Sequence, residues 1–168
     1  MTQRWLVPAV SAAILFAAAP AATSAQGAGA RSFDPAAFFL GRTVSSGRLK
    51  KIMSRAQATR AVGQGRIEGD TLVLDQTVTI EREPVRTRQW RLRPAGPGRW
   101  SGTISDARGP VSARAAGPVL TVVYTSLDGI GVVQTVTLAP DGRSARNRMK
   151  FRKFGLTVAT VEETVVKD

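Results

Sequence analysis

Along most of the chain, apolar and polar residues alternate with a period of two. In DTLVLDQTVTIE (70–81), Leu72, Leu74, Val78 and Ile80 share one face, with Gln76 as the exception on it. TRQWRL (87–92) places Trp90 and Leu92 on one side, Gln89 and Arg91 on the other. RWSGTIS (99–105) sets Trp100 and Ile104 together, with Gly102 between them. Successive side chains of a strand point to opposite faces, so this pattern predicts strands with one face on a core and one in water. RSARNRMKFRKFG (143–155) obeys the same rule despite its six cations. Arg146, Arg148, Lys150 and Arg152 fall on one face; Asn147, Met149 and Phe151 fall on the other. The cationic face reads as an ordinary solvated wall or as a surface for a polyanion or anionic lipid.

Turn signals divide these runs: EGD (68–70), EREP (81–84), PAGPG (94–98), DARGP (106–110), AAGP (115–118), LDGIG (127–131), APDG (139–142) and KFG (153–155). Their spacing is that of an antiparallel meander. Before them, FDPAAFFLG carries helix signals: Asp34 as N-cap, Pro35 at the first helical position and Gly41 as terminator. One or two helical turns are expected there, with Phe38 and Phe39 as an apolar plug. A long meander closes on itself to remove its edges, so the predicted fold is all-β. It is an antiparallel, lipocalin-like up-and-down barrel of about 8–10 strands with a short N-terminal helix. Such a barrel is either filled by side chains or holds one small ligand.

The N-terminus changes the picture of where this barrel works. MTQR, the apolar WLVPAVSAAILFAAA and the small-residue PAATSAQG together have the layout of a secretory signal peptide. The expected organisation is a signal over residues 1–25, a flexible leader over 26–32 and one barrel domain over 33–168. Periplasmic localisation follows from it. The chain has no cysteine, so neither disulfides nor a lipid anchor on cysteine is expected. Its formal charge is +12, and loss of residues 1–25 removes only Arg4.

The same composition narrows the chemistry. Without histidine or cysteine there is no Ser–His–Asp triad, no thiol nucleophile and no usual zinc site. GQGRIEG and GPGRWSG are glycine-rich, but neither leads into a predicted helix, so no phosphate loop is expected. Glu81 and Glu83 lie beside Arg82, Arg86 and a turn and read as exposed ion pairs. Aromatics are 6% of residues and no aromatic–basic nucleic-acid module is recognised. No enzymatic activity, cofactor, metal or nucleic-acid partner is expected.

Two function classes remain. One is a binding module for a lipid-like or anionic amphiphilic small molecule. Trp90, Trp100 and Tyr124 would line its interior, and Arg88, on the face of Trp90, would meet an anionic headgroup. Asp106, on the face of Trp100, is the alternative partner for Arg88, because a buried unpaired ion is costly. The other class is a basic envelope-surface protein with a filled barrel. It would contact anionic membrane peripherally through Arg146, Arg148, Lys150 and Arg152.

FDPAAFFLGRTVSSGRLKK, GDTLVLDQTVTIEREPVRTRQWRL, GRWSGTISDARGPVSARAAG and NRMKFRKFGLTVATVEETVVK occur in that order. Together they resemble the domain-of-unknown-function 3833 family of exported bacterial proteins, grouped with lipocalin-like barrels. The resemblance spans about Phe33 to Lys167 and is most specific at Phe33, Pro35, Phe38, Phe39 and Gly41. Arg88 with Trp90, Gly102 with Asp106, and Lys153–Phe154–Gly155 add to it. It implies the barrel and export, and carries no activity. Where relatives show an acidic, tryptophan-containing segment, this chain reads SLDGIG with Asp128 alone.

Overall fold

A computed structural model describes residues 32–168. The expected signal peptide and all but the last residue of the leader lie outside the described residues. The described part starts with α1 (Pro35–Phe39) and continues through β1 (Gly41–Lys51), β2 (Gln57–Glu68), β3 (Thr71–Ile80), β4 (Arg86–Pro94) and β5 (Arg99–Ile104). It is completed by β6 (Ala107–Ala116), β7 (Val119–Ser126), β8 (Gly131–Leu138), β9 (Ser144–Lys153) and β10 (Leu156–Lys167). Each strand pairs antiparallel with the next, and β10 returns to β1, closing a ten-stranded up-and-down barrel. This is the expected architecture, with every edge paired.

Alternation sorts the side chains as expected. Leu72 lies opposite Leu92, Leu74 opposite Trp90 and Trp90 opposite Ile104, all facing the lumen and all buried. On β9, Ala145, Asn147 and Met149 are buried while Arg146, Arg148, Lys150 and Arg152 are exposed. A run of outward cations is the opposite of the apolar band that a lipid-embedded barrel presents. Val73 is an outward residue with 0% exposure. It lies opposite Arg66 and Arg91, whose side chains join Glu68 and Asp75 in a network of ion pairs above it. The aliphatic stems of the arginines cover the valine while their heads stay in water.

One end of the barrel is plugged. The Asp34 side chain accepts the Ala36 N–H at 2.9 Å, capping α1 as predicted, with Pro35 at its start. The Phe33, Phe38 and Phe39 rings cluster with centroids 5.0–6.2 Å apart. The Phe33 N–H donates to the Gly117 carbonyl at 2.8 Å, which ties the segment across the bottom of the barrel to the β6–β7 turn. Gly65 makes room for the plug, since a Cβ there would fall 1.8 Å from the Phe39 carbonyl oxygen.

One turn assignment needs correction, and one turn had no signal. DARGP does not form a single turn. The chain reverses at Ser105–Asp106, and Gly109–Pro110 lies in a register shift within β6, between Arg108 and Ser112. Glycine and proline at that spot serve a bulge, which bends a strand much as a turn would. Conversely, the β1–β2 connection at Ile52–Ala56 carries neither residue; its left-handed position is filled by Met53 at φ 55°.

Candidate functional site

At the end opposite the plug, polar side chains enter the lumen. Gln76 and Arg88 are register partners on β3 and β4 and both point inward. Gln76 Oε1 accepts from Arg88 Nε at 2.9 Å and from Trp90 Nε1 at 2.8 Å. The apparent exception on the apolar face of β3 is therefore the acceptor that holds both candidate residues. The Arg88 guanidinium sits 5.2 Å from the Trp90 ring centroid, in cation–π range. Trp90 meets Tyr124 of β7 edge-on at 5.9 Å, a contact that spans the lumen.

Asp106 enters from the β5–β6 turn. Its Oδ2 is 3.7 Å from Arg88 Nη1, a long contact, and its Oδ1 is buried without a hydrogen-bond partner among the described residues. The Arg88 side chain is 17% exposed, so it is not wholly sealed from solvent, and Arg88 also borders the outer concavity over β2–β4. Burial pushes the Tyr124 phenol above its ordinary pKa; the Asp106 charge adds to this and Arg88 offsets it. Toward this end the inward residues lose cover: Leu72 and Leu74 are buried, whereas Val78 and Ile80 are half-buried, as is Phe151 at the end of β9.

Four of the five predicted lumen residues thus come together: Arg88, Trp90, Asp106 and Tyr124. Trp100 does not join them. It pairs with Pro94 near the β4–β5 turn, four residues along β5 from Ile104, the partner of Trp90. At about 3.3 Å per residue this puts it some 13 Å toward the plugged end. There it is partly buried against the core and borders a concavity on the outer wall over β5–β7. A second outer concavity, of about 360 Å³, lies over β2–β4.

A further polar group in the lumen escaped sequence reasoning. Glu163 accepts from Thr59 Oγ1 at 2.8 Å and from Asn147 Nδ2 at 3.0 Å. Thr59 reaches it across β1 because Gly47, their shared register partner, has no side chain there. The buried oxygens of Gln134 and Asn147 lack partners among the described residues. The available signal was an amide or carboxylate at inward parity in an otherwise apolar strand.

The cationic face extends beyond β9. In the β9–β10–β1 register Arg148, Glu162 and Arg48 form one row, and Lys150, Thr160 and Lys50 the next. Glu162 pairs with Arg148 at 2.9 Å. Among the described residues Arg48, Lys50, Arg146, Lys150 and Arg152 have no carboxylate within ion-pair distance. Glu81 and Glu83 occupy the β3–β4 turn: Glu81 pairs with Arg82 in the open as expected, whereas Glu83, which pairs with Lys51 and Arg86, has a side chain only 16% exposed.

A comparison with curated proteins finds no match. Among solved structures the chain is similar to one described as the structure of EF1p2_mFAP2b bound to DFHBI. The identity is 10% and the TM-score 0.45, over 79% of this chain and 96% of that one. A family model matches residues 12–167, and the chain belongs to that family, described as Protein of unknown function (DUF3833).

Proposed function

We propose that the protein is an exported, non-catalytic binding barrel that takes the polar end of an anionic amphiphile or lipid-like molecule at Arg88. The observation that carries this reading is the inward Arg88 guanidinium at the open end, with a carboxylate no nearer than 3.7 Å. An incoming carboxylate or phosphate would replace that long contact with a direct charge-assisted hydrogen bond. Half-buried Val78, Ile80 and Phe151 offer apolar surface to the tail beside it. A fluorescent fatty-acid analogue should bind saturably and quench tryptophan emission. Arg88→Ala should weaken it more than its neutral alcohol counterpart. Absence of saturable binding for both analogues removes the reading.

A second reading is favoured by the cationic wall: a basic protein that adsorbs to anionic envelope surfaces with its lumen filled. Changing Arg146, Arg148 and Lys150 together to Ser should then weaken adsorption to anionic vesicles, most clearly at low salt. Stability should shift by no more than about 0.5 kcal/mol per site. Equal adsorption of variant and parent would eliminate the wall's role.

A further inference from the structure

The rim of the open end carries a feature that neither the lumen nor the wall uses. The β1–β2 and β9–β10 turns are neighbours there: β1 pairs with β10, and the Ile52 N–H donates to the Val158 carbonyl at 2.9 Å. At their tips Met53 is 99% and Phe154 93% exposed, with Ile52 and Leu156 also exposed beside them. Tips of this kind are ordinarily glycine, asparagine or aspartate. Met53 and Phe154 instead adopt φ of 55° and 51°, a left-handed conformation that bulky side chains avoid. The backbone thus holds two large apolar side chains outward at positions where a polar or absent side chain would fit better.

The surroundings of these tips are cationic. Lys50, Arg55, Arg152 and Lys153 flank the two turns and are exposed, and none has a carboxylate within ion-pair distance among the described residues. Lys153 Nζ lies 5.7 Å from the Phe154 ring, so charge and apolar surface are presented together. Acids are present at both ends: Glu81, Glu83, Asp106 and Asp128 lie in the other turns of the open rim, as Asp70 and Asp141 do in turns of the opposite end. The difference is in the tips, since the opposite end turns at Gly69–Asp70, Gly96–Pro97, Gly117–Pro118 and Pro140–Asp141, with no large apolar side chain at any of them.

Apolar tips ringed by unpaired cations match the interface of an anionic bilayer, where side chains enter the acyl boundary and lysines meet headgroup phosphates. We infer that the Met53 and Phe154 tips dock the open end of the barrel onto an anionic lipid bilayer. This deepens the surface-adsorption reading; it moves the point of contact from the β9 wall to the rim and turns the lumen mouth toward the lipid.

The test uses protein recovered from cells expressing the full chain, so parent and variants share one N-terminus. The probe is a vesicle of equal parts phosphatidylglycerol and phosphatidylcholine. Met53→Ser with Phe154→Asn should lower partitioning by roughly tenfold or more, while asparagine suits the left-handed turn and keeps the fold intact by circular dichroism. The chain has no cysteine, so an environment-sensitive fluorophore on Phe154→Cys reports that tip alone. Its emission should shift to the blue on vesicles, and the same label on Asp70→Cys should not respond. If the protein binds but the label at 154 stays aqueous and the double variant partitions like the parent, the rim inference is overturned and adsorption through the wall stands. No binding to vesicles overturns both. Equal binding to pure phosphatidylcholine overturns the anionic requirement, and lipid-free dimers lost in the double variant would mark the tips as a self-association face instead.

Discussion

Replacing Gln76 with leucine tests how the Arg88–Trp90 pair is held. One oxygen serves two donors, at 2.9 Å and 2.8 Å. Trp90 is 5% exposed, so its indole N–H would be left buried without an acceptor, at a cost of about 1–3 kcal/mol. Arg88 loses less. Its head is partly solvated and keeps Asp106 nearby, so its share is about 1 kcal/mol or below. Leucine returns about 1 kcal/mol through apolar burial. The net expectation for Gln76→Leu is a loss of about 1–3 kcal/mol in urea unfolding followed by circular dichroism. A double-mutant cycle with Trp90→Phe isolates the hydrogen bond, because phenylalanine has no N–H to strand. The coupling should be about 1–2 kcal/mol. A Gln76→Leu penalty that is unchanged in the Trp90→Phe background would refute the shared-acceptor account. The same substitution should also loosen Arg88 and weaken binding of the anionic analogue.

Gly102→Ala should destabilise by about 2–3 kcal/mol or more in the same assay, because the new Cβ would sit 1.7 Å from the Arg91 carbonyl oxygen and force β4 and β5 apart. Phe38→Ala should cost about 3–5 kcal/mol by opening the plug; a loss below about 1 kcal/mol would mean that the plug is not part of the core. Tyr124, the single tyrosine, should keep its proton above the ordinary value of 10.0 in the folded state. The native phenol binds its proton more tightly than the unfolded one, so this contribution to stability is full below the unfolded pKa and is lost as pH rises through the raised native value. Phenolate absorbance appearing at the ordinary pKa while the protein remains folded would contradict the burial of this side chain.

Strands, most turns and the capped helix were legible because each depends on residues a few positions apart. Period-two alternation along β3, β4 and β9 states which side chains share a face, and Asp34–Pro35 states where α1 begins. Those rules are local in backbone geometry and need no partner strand. The bulge at Gly109–Pro110 was misread for the same reason: the two residues give one local signal whether the chain reverses or merely kinks. Tertiary structure alone decided what the faces meet. Closure of β10 on β1 joins segments more than a hundred residues apart, and nothing in either strand specifies it locally. The β3–β4 register makes Gln76 an acceptor for Arg88 and Trp90, the β4–β5 register leaves Trp100 near the plugged end although its parity matches, and the curling of the sheet brings Tyr124 across the lumen to Trp90. Likewise, Met53 and Phe154 become one apolar rim because β1 and β10 are neighbours. Parity assigns a side chain to a face, whereas its height in the barrel and its neighbours across the lumen follow from register and closure.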